Sequence, residues 1–139
     1  MLRDNAEIIP GANIRSSEIN EIGEVLILRQ NHLKSNGEIV FSKNEKYTEI
    51  NGQNERSLVR PGDIIMATTG SLSSIGNMYQ YNLPMKAIAA SPLIIIRPNV
   101  NPEELYSLLQ AKYYHIKTMV PTNAAMLRIN NNQIREIEL

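Results

Sequence analysis

Short apolar runs separated by turn residues organise the first two thirds of the chain. Val25-Leu26-Ile27-Leu28 is continuous, rich in branched side chains and of the length of a buried strand. Ser35-Asn36-Gly37 follows as a turn, and Glu38-Ile39-Val40-Phe41 predicts a second strand. Between them, Arg29 to Lys34 is dense in hydrogen-bonding side chains. Residues 44–56 are polar and read as a loop or a short helix. Arg60-Pro61-Gly62-Asp63 is a turn signal, because proline presets φ and glycine supplies unusual angles. Ile64 to Ala67 then predicts a strand, and Thr68 to Gly76 a loop of small residues. Met78 to Tyr81 and Met85 to Ala90 are candidate strands around Asn82-Leu83-Pro84. Leu93-Ile94-Ile95-Ile96 is a strand closed by Arg97-Pro98-Asn99.

The pattern changes period after Asn101. Asn101 is a good N-cap, Pro102 suits the first helical position, and Glu103 and Glu104 complement the positive helix end. Leu105, Leu108, Leu109, Ile116 and Met119 fall on one face at helical spacing, and Pro121 stops the helix. Leu127 and Ile129 flank Arg128, Asn130 caps a helical turn through Gln133, and Ile137 and Leu139 alternate with glutamates as in a final strand. Several strands, one long helix and no βαβ rhythm predict an α+β fold. The expectation is a single mixed domain over residues 1–139, with a twisted, mainly antiparallel sheet and few helices.

Composition narrows the function classes. The chain is 42% hydrophobic and 20% charged, enough to bury a core. It contains no cysteine, which excludes a disulfide framework and any cysteine-based zinc site. Its longest apolar runs are far shorter than the roughly 20 residues a bilayer needs, and the first residues do not follow a signal-peptide pattern. A cytoplasmic location and no membrane partner are expected. Formal net charge is zero, which argues mildly against a generic nucleic-acid binder. The charge is uneven, however. Residues 64–135 hold two acids against six bases, so a locally positive face is compatible with a neutral chain.

Catalytic patterns are missing. Neither G-x-x-x-x-G-K-[ST] nor G-x-G-x-x-G occurs, and no lysine follows the serine-rich loop between Gly70 and Gly76 to pair with phosphates. His32 and His115 have no ligand partner at a metal-binding offset. No serine sits in G-x-S-x-G. Glu103 and Glu104 are better explained by the helix dipole than as a catalytic pair. The glycine and Asn/Asp-Pro-Pro-aromatic motifs of amino-methylating enzymes are also absent from the sequence. No enzyme activity, cofactor or metal is expected.

One stretch carries more information. Val59-Arg60-Pro61-Gly62-Asp63-Ile64-Ile65-Met66-Ala67-Thr68-Thr69-Gly70-Ser71, leading to Gly76, resembles a segment of type I restriction–modification specificity subunits. There a Lys/Arg-x-Gly-Asp-Ile-Leu turn enters a strand and a small-residue glycine loop follows. Ile88 to Pro98 is similar to the family's small-residue stretch running into an apolar strand, and Asn101 to Leu109 to the helix after it. Ile129 to Ile137 and Val25 to Gly37 resemble its closing and opening units. Order and spacing of these elements carry the likeness, rather than any one tetrapeptide.

The resemblance implies a non-catalytic target-recognition domain that docks in the major groove of double-stranded DNA and reads half of a split target. Methylation and cleavage would belong to methylation and motor/nuclease subunits. Whole specificity subunits carry two recognition domains joined by long spacer helices that dock those partners. This chain reads as one such domain, with two readings open: a fragment of a longer subunit or a free-standing half. Alternatives are the recognition domain of a solitary adenine methyltransferase, and a protein-interaction module without DNA affinity, which neutral charge would suit.

Base reading needs paired donors and acceptors. Arginine suits guanine, asparagine and glutamine suit adenine, and threonine methyls suit thymine. The candidate DNA-binding residues are Arg15, Arg29, Gln30, Asn31, His32 and Lys34, with Thr68, Thr69, Ser71, Ser73, Ser74 and Asn77 from the small-residue loop. Tyr79, Lys86 and Asn123 are added as further contacts. Gly62, Gly70 and Gly76 are expected to permit tight turns, and Asp63 to brace one.

Overall fold

Four consecutive buried residues, Leu93 to Ile96, make sense only in a strand covered on both faces. The computed structural model, which describes residues 1–119 and 127–139, places them there. In chain order its elements are β1 (Ala6–Pro10), β2 (Val25–Leu28), β3 (Tyr47–Thr48), β4 (Ile64–Ala67), β5 (Thr69–Gly70), β6 (Met78–Gln80), β7 (Ala87–Ala89), β8 (Leu93–Pro98), α1 (Pro102–Ala111), α2 (Tyr113–Lys117), β9 (Leu127–Arg128) and α3 (Asn131–Arg135). The fold is α+β. A four-stranded antiparallel sheet has the order β1-β8-β4-β6, and a three-stranded sheet the order β3-β2-β7, in which β2 and β7 run parallel. β5 and β9 form a separate antiparallel pair.

Side-chain alternation turns these sheets into layers. Ile94 and Ile96 of β8, Ile64 and Met66 of β4, and Ile8 of β1 pack beneath the helices against Leu105, Leu109, Ile116 and Ile134. Their sequence neighbours Leu93, Ile95, Ile65, Ala67 and Ile9 face the other way, onto Leu26 and Leu28 of β2 and Ala87 and Ala89 of β7. Val25, Ile27 and Ile88 point outward from the second sheet into a third cluster with Ala12, Ile14, Ile19 and Leu58. The order is helices, four-stranded sheet, three-stranded sheet and covering loops.

A buried ion pair locks the central strands. The β4–β8 register sets Ile64 opposite Ile96, so Asp63 and Arg97 meet one step further on. Arg97 donates from Nε and Nη2 to both Asp63 carboxylate oxygens, at 3.1 and 2.9 Å. Nη2 also donates to Leu58 O, and Asp63 accepts the Arg60 N–H at 2.7 Å. Asp63 braces the turn as its position suggested, and Gly62, Gly70 and Gly76 all take positive φ.

Several sequence expectations need revision. The single helix from Asn101 is broken at Lys112. Lys112 lies three residues after Leu109, on the stripe that faces the core, where an ammonium cannot be buried cheaply. Ile116, beyond the break, is still buried in the core. The Asn101 cap is real, since its Oδ1 accepts the Glu104 N–H at 3.0 Å. Leu108, expected on the buried face, is 47% exposed. Pro121 lies outside the described residues. Residues 38–41 form a single bridge, Leu33 to Ile39, instead of a strand. The chain end is not a strand either, although Ile137 is buried and its carbonyl accepts the Leu2 N–H. β1 and β3 were not legible, because each offers too few apolar residues beside proline or polar neighbours.

Asp63→Ala is expected to destabilise the fold by about 3–5 kcal/mol, because it leaves the largely buried Arg97 guanidinium uncompensated. A urea unfolding midpoint measures this, and an unchanged midpoint would remove the pair from the list of fold determinants.

Candidate nucleic-acid interface

Parallel pairing of β2 and β7 sets Leu28 beside Ala89, so both strands leave the sheet at one end. β2 continues into Arg29 and a 3-10 turn, Gln30–His32, and β7 into Ala90-Ser91-Pro92. The segment after β1 is stitched to the flank of the β7 extension opposite β2: the Ala12 N–H donates to Ala89 O, and the Ser91 N–H to Ala12 O, both at 2.8 Å, while the Ala90 N–H donates to Leu28 O at 3.0 Å. Gly11 is required for this close approach. A Cβ there would lie 2.4 Å from Leu93 O and 2.7 Å from Ser91 N, both backbone atoms that cannot move aside.

These three segments wall a cleft of about 730 Å³. Arg15, Arg29, Gln30 and Asn31 line it together with Asn13, Gln53 and Ser91, over an apolar floor that includes Ile14, Ile19 and Ile27. Among the described residues no carboxylate lines it. Two guanidiniums and four carboxamides on one concavity supply the paired donors and acceptors that base edges present. Asn13, Gln53 and Ser91 carry no sequence signal for this role. Each is an isolated polar residue brought in by strand ends or by the polar stretch 44–56.

The turn that carries Arg29 to Asn31 is pinned from inside. His32 is buried and packs at a tilt against Phe41, with ring centroids 5.1 Å apart. Its Nδ1 accepts the Arg29 N–H at 2.9 Å, so Nε2 carries the proton donated to Glu45 Oε1 at 2.6 Å. The other Glu45 oxygen accepts from the Ser42 N–H at 2.7 Å and the Ser42 hydroxyl. Burial alone would raise the Glu45 pKa; the Ser42 and His32 hydrogen bonds outweigh it and hold the carboxyl below its ordinary value. His32 therefore faces the protein and orients its neighbours. Arg29 and Asn31 form the ridge between the cleft and a second hollow that holds Lys34, whose Nζ donates to Asn31 O.

The small-residue loop joins the same surface through Gln30. Thr69 Oγ1 lies 3.3 Å from Gln30 Oε1, and Gln30 Nε2 lies 3.4 Å from Ser74 Oγ. Ser71 and Ser73 are exposed, with their hydroxyls 2.8 Å apart. Thr68 and Asn77 are buried and serve the scaffold. Thr68 Oγ1 donates to Pro92 O at 2.7 Å, and Asn77 bridges Ser73 O and the Tyr113 hydroxyl. Lys117 Nζ anchors the loop from α2 by donating to the carbonyls of Leu72 and Ile75, and sits over the Tyr113 ring. Desolvation lowers its pKa.

Other candidates lie elsewhere. Lys86 precedes β7, about 10 Å along the strand from Ala89, and lines a separate hollow with Arg56, Arg60 and Arg97. Tyr79 is half-buried on β6 and bonds to Asn82. Asn123 falls outside the described residues. The expected positive face from residues 64–135 does not form the cleft. Its cations, Arg15 and Arg29, come from the first part of the chain, while Arg97 and Lys117 are held by internal partners.

Glu45→Gln is expected to cost about 1.5–3 kcal/mol at neutral pH, the range for hydrogen bonds to charged groups. Because the folded pKa is depressed, the carboxylate contributes stability that is present above about pH 4.3 and lost as pH falls through the folded value. Urea midpoints from pH 3 to 7 should show a shallower acid decline in the variant than in the parent; parallel curves would contradict this assignment.

No family model matches the chain, and no curated protein does. Solved structures do match. Over 98% of its length the chain superposes on the HsdS subunit from Thermoanaerobacter tengcongensis, with a TM-score of 0.62 and 15% identity, spanning 30% of that subunit. It superposes over the same share on a chain from a structure describing complex assembly and conformational transition of the type I R-M system, with a TM-score of 0.70 and 16% identity, spanning 31% of that chain. The 139 residues thus share the fold of a domain-sized part of the HsdS subunits of type I restriction–modification systems.

Proposed function

We propose that this chain is a target-recognition domain that reads sequence in double-stranded DNA for a type I restriction–modification system and performs no chemistry itself. The observation that carries this reading is the cleft at the ends of β2 and β7, with Arg15 and Arg29, four carboxamides and no lining carboxylate among the described residues. Such a surface can contact phosphates through its guanidiniums and base edges through its amides. It also reconciles the proposal with zero net charge, because two arginines and no carboxylate line the cleft among the described residues.

The fold shared with HsdS subunits supports the same reading. Among the described residues no three His, Cys, Asp or Glu side chains converge where a metal could be held, and no helix is long and apolar enough to cross a membrane. In this proposal methylation and cleavage belong to partner subunits in the cytoplasm, and the domain supplies the address.

Fluorescence anisotropy with a randomised duplex library, at two salt concentrations and followed by selection, tests the proposal. Binding should weaken steeply with salt and enrich a short motif. Asn31→Ala should relax one base position at a cost of about 1–3 kcal/mol. Arg29→Ala should reduce either one position or all positions equally, which separates base reading from phosphate contact. Absence of binding at low salt, or binding with no enriched motif, would overturn the proposal and favour a protein-interaction module.

A further inference from the structure

We propose that Gln30 reads an adenine through a carboxamide whose orientation Thr69 and Ser74 fix before DNA arrives. This rests on the DNA-reading function proposed above. The Gln30 side chain lies across the backbone of Gly70, which has φ +121°. A Cβ at residue 70 would stand 2.4 Å from both Gln30 Nε2 and Ser74 Oγ, so a glycine keeps open the seat the amide occupies.

Proton positions decide which way the amide faces. Nitrogen and oxygen of a carboxamide look alike, and their assignment comes from the hydrogen-bond network. Ser74 has one hydroxyl proton, and the nearest acceptor for it is Ser71 O at 3.1 Å, with Ser71 Oγ at 3.4 Å. With that proton directed to Ser71 O, Ser74 Oγ accepts, and the group 3.4 Å from it is the Gln30 NH2. Thr69 in turn donates its hydroxyl proton to Gln30 Oε1, at 3.3 Å. Flipping the amide would require the Ser74 hydroxyl to leave Ser71 O and the Thr69 hydroxyl to turn from donor to acceptor.

Each end of the amide keeps one unused site, an N–H on Nε2 and a lone pair on Oε1. Gln30 lines the cleft, and its amide lies where that wall meets the small-residue loop. Adenine offers the matching pair in the major groove, an N6 donor and the N7 acceptor, whereas guanine offers two acceptors. An amide already held in one orientation loses less side-chain freedom on binding than one on an open surface. Thr69 and Ser74 are positioning residues in this scheme, and Gln30 makes the contact.

The test is selection from a randomised duplex library with the full 139-residue chain and its Gln30→Ala and Ser74→Ala variants, with thermal melts of each. The parent should select adenine at one position. Gln30→Ala should lose that preference there alone, by roughly five- to a hundred-fold, the ratio equivalent to one bidentate base contact, with other positions retained. Ser74→Ala should weaken the adenine preference while keeping the melting temperature within a few degrees. A parent motif that Gln30→Ala leaves unchanged, or weakens equally at all positions, would overturn Gln30 as the reader and leave DNA recognition standing. A Ser74→Ala profile identical to the parent's would overturn the pre-orientation. A parent that enriches no motif would overturn both this inference and the function it rests on.

Discussion

Burial of β4 and β8 on both faces is the constraint from which the rest of the domain follows. Each strand carries four consecutive buried residues, and alternation sends half of them to the helices and half to the second sheet. Each aliphatic side chain buried this way contributes about 1.5–3 kcal/mol. Neither sheet face could be left to solvent, so α1, α2 and α3 must cover one and the β3-β2-β7 sheet the other. The Asp63–Arg97 pair then fixes how β4 and β8 align, because one residue of slippage would exchange the two faces and separate the charges.

That packing places the candidate interface indirectly. β2 and β7 are held parallel against the central sheet, so their following segments emerge together, and the segment after β1 is drawn alongside the β7 extension. The cleft is a product of strand ends held by a rigid core. Beneath it, His32, Thr68 and Asn77 spend their polar groups on backbone and neighbouring side chains. This frees Arg29, Gln30 and Asn31 to border the cleft in defined positions, which a recognition surface needs if its contacts are to discriminate.

Charge follows the same division. The chain is neutral as a whole, yet the cleft holds two arginines and no lining carboxylate among the described residues. Acids sit close in sequence to these arginines, and Glu18 accepts the backbone N–H of Arg15, but its side chain does not line the cavity. Summed charge along a stretch of sequence is a poor guide to such a surface, because it ignores which side chains share a face.

The sequence by itself determined the strands whose apolar runs are continuous, β2, β4 and β8, together with the Asn101 cap, the Asp63 brace and the mixed α+β class. Each of these is set by neighbours along the chain, so periodicity and turn chemistry suffice. It also marked the polar segments after β2 and β4, from which Arg29, Gln30, Asn31, Thr69 and Ser74 come together. Only the tertiary structure decided that His32, Thr68 and Asn77 face inward, that Lys86 sits at the far end of β7, and that Asn13, Gln53 and Ser91 complete the cleft. The physical reason is that side-chain direction in a loop is set by the hydrogen bonds its backbone and polar groups make with distant elements. Pro92 for Thr68 and Tyr113 for Asn77 lie tens of residues away, where no local pattern reaches.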